Sequence, residues 1–426
     1  MKMMSYWLDT AKPFASAMAG PPDGSADVAV VGAGFTGLSA ALALAKKGAK
    51  VVVLEAARVA NAASGRNGGM CNNGFAQDYY GMAMQLGQER ANMLYRAFDA
   101  GVDKVETIIA EEKIDCHFRR VGKLKLAAKP AHYDKLARSQ ELLAREVDPD
   151  TRMIPRSEQL KEIGSERYFG GMLFEKAAAM HMGMYGQGLA AAAARRGAFI
   201  YENNPVTHLR RVEGQAHELR TPSGVIRANQ VLLATGTSAI GPLGWFRRRI
   251  VPVGAYVIAT EPLPIDLLDR LTPHRRNTTD TRNFVNYFRV LPDNRLLFGG
   301  RARFSGASNP TSDAKSGAIL RRSMAEVFPE LAKTQIDYCW GGMVDMTRDR
   351  LPRAGEHNGI FYSMGYSGHG THMATYMGAI MAEVLDGRAD LNPWRDFDWP
   401  PIPGHFGKPW FLPFVGAYYR FQDLVR

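Results

Sequence analysis

Three glycine-rich runs in this chain have the residue types and spacing to hold anions through backbone N–H groups. Gly32-Ala33-Gly34-Phe35-Thr36-Gly37 is a GxGxxG. Ser64-Gly65-Arg66-Asn67-Gly68-Gly69 adds a hydroxyl, a guanidinium and an amide. Gly365-Tyr366-Ser367-Gly368-His369-Gly370 lies in the last fifth of the chain and runs into a helical pattern. A glycine turn that opens a helix presents unpaired N–H groups and the positive end of the helix dipole to an anion.

The elements around the first run give it meaning. The Val/Ala run at 27–31 predicts a buried parallel strand. Leu38, Ala41, Leu42 and Ala45 then recur at helical spacing. Lys46 and Lys47 fall in the last turn, and Gly48 stops the helix. A second strand at 50–54 ends in Glu55, followed by Ala56. Strand, turn, helix, strand and acid in this order form a dinucleotide-binding unit. Its glycines make the tight turn, admit the pyrophosphate and let helix and strand pack. Glu55 stands about 20 residues after the turn, where a carboxylate accepts the ribose hydroxyls. It would repel the extra phosphate of NADP. It does not by itself separate NAD from FAD. The second run places its N–H groups and Arg66 where a further part of a long cofactor would lie.

The third run follows an apolar stretch at 359–364. The helix behind it carries Met373, Met377, Ile380, Met381, Val384 and Leu385 on one face, which reads as core packing.

The chain has 426 residues, enough for two domains or one large interleaved unit. Hydrophobic residues are 46% and charged residues 22%, as expected for a globular protein. The net charge of +11 reads as an alkaline surface. Its densest cluster, Arg247-Arg248-Arg249, is too short for a nucleic-acid groove. Cys71, Cys116 and Cys339 form no CxxC, pointing to a reduced, cytoplasmic compartment without disulfides or a zinc site. No stretch has the roughly 18 apolar residues of a membrane span. The N-terminus lacks a signal-peptide core and reads as a lead-in ending at a Pro21-Pro22-Asp23-Gly24 turn.

With these motifs in hand, the chain resembles the flavin-dependent amine and amino-acid oxidoreductases of the D-amino-acid oxidase, glycine oxidase and sarcosine oxidase superfamily. "SGRNGG" resembles the gamma-glutamylputrescine oxidoreductase branch in particular. So do "QVLLATGTSA" (230–239), "NYFRVLPDNRLLFGGR" (286–301), "WGGMVDMTRDRLPRAG" before "GYSGHGTH", and the tail "PWFLPFVGAYYRFQDLVR". The likeness runs from about residue 5 to the end. It implies FAD, with Thr235 and Gly236 under the adenine side and the Val206 backbone at the adenine. It gives the third turn a role: Gly368 to Thr371 would stabilise negative charge on a reduced flavin.

The fold expected is α/β, with a discontinuous Rossmann-like FAD-binding domain at 20–80, 155–245 and 336–400. A mostly antiparallel-sheet substrate domain takes 81–154 and 246–335, and the 401–426 tail packs on the body. Strands are expected at 251–262 and in a hairpin across Pro292-Asp293-Asn294.

The implied activity is oxidation of an amine. A hydride moves from the C–H beside nitrogen to flavin N5, and the imine hydrolyses to an aldehyde and an amine or ammonia. Such chemistry needs positioning groups rather than a nucleophile or metal. Tyr287, sharing a strand face with Val285 and Arg289, is a candidate substrate-side hydroxyl. Arg301 matches a substrate-contacting position of relatives.

Three departures matter. Sarcosine-oxidase-like members hold a carboxylate with a Lys after the third turn and an Arg after the second. His372 and Gly74 stand at those places here. That favours an amine or amine conjugate, with His372 as a polar substrate group. Leu297 matches the family's oxygen-activating Lys, so the electron acceptor is oxygen or another compound. Gly342 stands where some relatives attach FAD to a Cys, with Cys339 nearby, so FAD is expected to be non-covalent. His181 is expected to cap or pack a helix start. A secondary-amine or N-methyl amino acid enzyme of sarcosine or pipecolate type is the alternative reading. An RNA-modifying or complex-bound flavin subunit is a lesser one.

Overall fold

The structure, a computed structural model, describes every residue except 213, 215, 238–242, 304–309 and 426. The side chains at 301, 303, 310–313 and 424 also lie outside the described set. Two sheets of eight strands face one another across the site.

The first sheet has five parallel strands at its centre, in the order Ile360–Met364, Val225–Leu233, Asp23–Val31, Val51–Leu54 and Phe199–Tyr201. Apolar runs make these strands because helices cover the sheet. All four residues of Val51–Leu54 are buried. The first strand starts earlier than the sequence suggests. Asp23 and Gly24, expected in a turn, pair in register with Val225 and Ile226.

Helices Phe35–Lys46 and Gly370–Leu385 pack tightly together. A Cβ on Gly378 would lie 2.3 Å from the Thr36 carbonyl oxygen, so only glycine permits this approach. Ser39 Oγ donates to the Thr375 carbonyl at 2.6 Å and fixes the register.

The second sheet runs in the order Ile336–Met346, Val251–Pro262, Arg295–Arg303, Tyr287–Val290, Asn277–Asp280, Lys123–Leu126, Gly171–Phe174 and Arg152–Ile154. Every neighbouring pair is antiparallel except Asn277–Asp280 with Lys123–Leu126. The strand at 251–262 and the hairpin across Pro292-Asp293-Asn294 form as expected, with Val290 opposite Leu296. Two strands placed by sequence on the cofactor side, 171–174 and 336–346, hydrogen-bond in this second sheet instead.

Its period-2 alternation divides the sheet sharply. Leu124, Leu126, Phe288, Val290, Leu296 and Phe298 enter one apolar core. Lys123, Lys125, Tyr287, Arg289, Leu297 and Gly299 point to the other side, toward the first sheet.

Both ends of the chain are ordered against the body. The lead-in contains the helix Tyr6–Thr10, and its Trp7 is fully buried. Near the other end lies the helix Leu412–Val425. Asp423 there accepts hydrogen bonds from the Asn283 amide and side chain and from the Phe284 amide. Among the described residues no helix is long and apolar enough to cross a membrane.

Candidate active site

One connected cavity of about 2170 Å³ runs between the two sheets. That exceeds the roughly 300–1,000 Å³ of a pocket for one small ligand, and leaves room for a dinucleotide with a second molecule.

Its floor begins at the carboxyl ends of the parallel strands. Gly32 has φ +104°, and a Cβ there would lie 2.7 Å from the Ala234 carbonyl oxygen. Gly34, Phe35 and Thr36 line the cavity at the helix start. Glu55 accepts from the Ala33 amide at 2.7 Å and the Ala57 amide at 2.8 Å. Burial pushes its carboxyl up from the ordinary range, and these amides oppose the shift. Ala56, Val206, Thr235 and Gly236 complete this end. The buried Thr235 Oγ1 has no hydrogen-bond partner there.

The second run is braced on every side. Ser64 Oγ accepts from the Phe35 amide at 3.0 Å. Ser5 Oγ donates to the Gly65 carbonyl and Trp7 Nε1 to the Asn67 carbonyl. Trp340 Nε1 donates to the Arg66 carbonyl at 3.0 Å. Arg66, expected to reach toward a cofactor, donates instead to the carbonyls of Asn61 and Gly341. It fastens the loop to the second sheet, while its residue still lines the cavity. Gly342 lies against it: a Cβ there would meet Arg66 Cβ at 3.0 Å.

The third run turns through three left-handed residues, Gly365, Ser367 and Gly368. Asp345 ties it down. Its carboxylate accepts from the Gly365 amide at 2.6 Å, and burial pushes that carboxyl up to about 6. Tyr366 OH bonds both Thr36 Oγ1 and Ser363 Oγ at 2.8 Å, joining the first and third runs directly. His369, Gly370 and His372 follow along the cavity wall.

Burial, reinforced by Lys123 and Lys125, lowers His369 to about 3. Burial also holds His372 well below the ordinary imidazole range, with His369 and Lys123 adding to the effect. Both rings are neutral near pH 7. Both ring nitrogens of His372 are buried without a partner, and its ring packs against Phe98.

The roof is the lower face of the second sheet. The Tyr287 ring occupies a slot made by two glycines. A Cβ on Gly68 would lie 2.9 Å from it, and one on Gly299 2.2 Å. Burial raises the Tyr287 phenol above its ordinary value. Lys123 Nζ donates to the Asn73 carbonyl at 2.6 Å and lies 3.6 Å over the Phe174 ring. Burial, with Lys125 beside it, lowers Lys123 to about 7.

The cavity therefore gathers most of the residues expected from sequence. Gly37, Gly65, Gly69 and Gly365 do not line it. They serve close packing, as at Gly37, where a Cβ would lie 1.9 Å from the Gly32 carbonyl oxygen. The Arg301 side chain lies outside the described residues. Leu297 is fully buried in the core and does not line the cavity.

Sequence reasoning missed Lys123, Lys125, Asp345 and Arg350 on the cavity wall. It also missed Arg289, which donates to the Gly69 and Met180 carbonyls beneath the second run. The alternation in "KLKL" was the available signal for the lysines. His181 caps its helix as expected, accepting from the Met184 amide. No cysteine lines the cavity among the described residues.

Comparison with known proteins agrees with this architecture. The chain is 33% identical to a probable oxidoreductase OrdL of Haemophilus influenzae, over 94% of this chain and 93% of the relative. It is 32% identical to gamma-glutamylputrescine oxidoreductase of Escherichia coli, over 93% and 92%. The solved glycine oxidase of Geobacillus kaustophilus superposes with a TM-score of 0.71 at 24% identity, covering 88% of this chain and 98% of that one. A family model described as FAD dependent oxidoreductase matches residues 27–384. The chain belongs to the DAO family of FAD-dependent oxidoreductases.

Proposed function

We propose that this enzyme oxidises an amine conjugate of the gamma-glutamylputrescine type, using non-covalently bound FAD. The observation that carries the reading is the continuity of the cavity. The space that begins at Gly32 and Glu55 continues past Gly370 to the roof beneath Tyr287.

The donor set fits the cofactor. Gly32 and Gly34 line the cavity at the turn, where Ala234 and Ser64 leave no room for a Cβ. Glu55 is an acceptor suited to ribose hydroxyls, and the orphaned Thr235 Oγ1 awaits a partner. Ser64, Asn67 and Gly68 of the second run, and Tyr366 to Gly370 of the third, complete the proposed cofactor contacts. Bound FAD supplies the two-electron acceptor.

The chain's own groups do the rest. His372 offers a neutral ring that does not repel a cationic amine. It accepts a hydrogen bond from the substrate nitrogen as the C–H is aligned. Tyr287 limits the depth of entry, and Arg301 is a further candidate substrate group from the family resemblance. Loss of hydride from carbon and a proton from nitrogen gives an imine. Water then releases an aldehyde and an amine or ammonia. Oxygen or another acceptor takes the electrons. In this reading the cofactor domain comprises 20–80, 155–245 and 336–400, less the strands 171–174 and 336–346 that pair in the second sheet. The substrate domain comprises 81–154 and 246–335, with the tail against both.

The test is anaerobic titration of the purified yellow protein with gamma-glutamylputrescine, putrescine, sarcosine and pipecolate. Bleaching by the conjugate at low concentration supports the assignment. Bleaching by sarcosine or pipecolate alone transfers it to the secondary-amine reading, and no bleaching by any of them rejects both.

A further inference from the structure

We propose that Lys125 and Arg350 form an anion-binding station that recognises a carboxylate on the substrate, away from the nitrogen being oxidised. The inference rests on amine oxidation in this cavity and deepens it by naming a required substrate group.

Sheet register puts Lys123 and Lys125 side by side on the cavity face, while Leu124 and Leu126 enter the core behind. The two lysines are not equivalent. Lys123 is satisfied by the Asn73 carbonyl and the Phe174 ring. Lys125 makes no hydrogen bond or ion pair with any described residue, and neither does the Arg350 guanidinium. Both line the cavity.

The carboxylate that acts on Lys125 is Asp78, and Asp78 is already engaged. It takes Lys135 Nζ at 3.0 Å and caps a helix through the Gly81 amide at 2.8 Å. Burial lowers Lys125, and Lys135 and Arg350 press it further down. Cations held together without a counter-ion repel one another and stabilise any anion placed between them.

The station is also displaced from His372. Lys123, Lys125 and Arg350 all act on His369, but of these only Lys123 acts on His372. Lys125 stands two residues further along the strand, about 7 Å. The cavity thus sets the neutral His372 ring apart from two cations that lack protein partners among the described residues. A zwitterionic conjugate, amine at one end and carboxylate at the other, matches that polarity.

The experiment uses the FAD-loaded enzyme with gamma-glutamylputrescine and its analogue in which the carboxylate is a primary amide. Lys125→Met and Arg350→Gln are each expected to raise KM for the carboxylate substrate about 10- to 100-fold, the loss typical of a charge-assisted contact. kcat should stay within about twofold, and KM for the amide should be unmoved. Should Lys125→Met fold poorly, Arg350→Gln carries the same test.

Glutarate binding, followed by calorimetry, reads the station without turnover, and both variants should abolish it. Equal KM for the two substrates in the unaltered enzyme, with no glutarate binding, overturns the station while leaving amine oxidation intact. If no amine is turned over, glutarate binding to the unaltered protein and not to the variants still supports the station. Its absence rejects it.

Discussion

The floor and the roof of the cavity are built on opposite terms. On the floor, side chains are committed to the protein itself. Ser64 holds the Phe35 amide, Arg66 holds two carbonyls, and Tyr366 bonds Thr36 and Ser363. What remains for a ligand is mostly backbone, with Glu55 and the unpartnered Thr235 Oγ1 beside it. On the roof Lys125, and along the wall Arg350 and His372, keep their side-chain polar atoms free of hydrogen-bond partners among the described residues. The difference separates generic cofactor holding from the choice of substrate.

Substitutions can break that division or sharpen it. The largest effect is expected at Gly32→Val. Left-handed backbone and the Ala234 carbonyl both exclude a side chain there. Such strain costs about 1–3 kcal/mol, so the protein should purify with little FAD, read as lost absorbance near 450 nm. Retention of full flavin by this variant would refute the floor assignment.

Tyr287→Ala should do the reverse. It empties the slot between Gly68 and Gly299, leaves flavin content unchanged and lowers kcat/KM about 10- to 100-fold through lost positioning. Steady-state kinetics at equal flavin occupancy checks this.

A smaller effect concerns pH. His369 and His181 are lowered by burial to about 3 and about 4. Between those values and the ordinary 6.5, the unfolded chain binds protons that the folded chain does not. Stability is therefore fully present above about pH 6.5 and falls on acidification. The slope approaches about 1.4 kcal/mol per pH unit for each ring. Denaturant unfolding from pH 7 to 5 should show the fall, and His369→Gln should flatten it.

The smallest effect is Trp7→Phe. It keeps the ring but removes the hydrogen bond to the Asn67 carbonyl. A loss of about 1 kcal/mol in FAD binding, roughly fivefold in Kd, is expected, measured by flavin fluorescence on dilution.

The same division explains what could be read from sequence. The floor was legible because strand, turn, helix and acid are adjacent in the chain, so Gly32, Glu55 and the third run announce themselves. The roof was not. "KLKL" reads as an alternating strand whichever face is wet. Only pairing with Asn277–Asp280 and Gly171–Phe174 turns the lysines inward. A like obstacle hid the five-residue helix Tyr6–Thr10, too short for a periodic signal. It also hid the second-sheet pairing of Ile336–Met346, whose apolar run suits either sheet. Gly74 and His372 in place of the family's Arg and Lys suggested a poor α-carboxylate clamp, and the Lys123 and Lys125 side chains on another strand were not anticipated.

The bracing of the second run by Ser5, Trp7 and Trp340 has a consequence for biosynthesis. Ser5 and Trp7 fasten a loop 60 positions later in the chain, and its last clamp, Trp340, lies 274 positions beyond Arg66. Contacts of such long separation form late. The flavin cradle therefore stays incomplete until Trp340 has been made, and cofactor capture is tied to segments far apart in the chain.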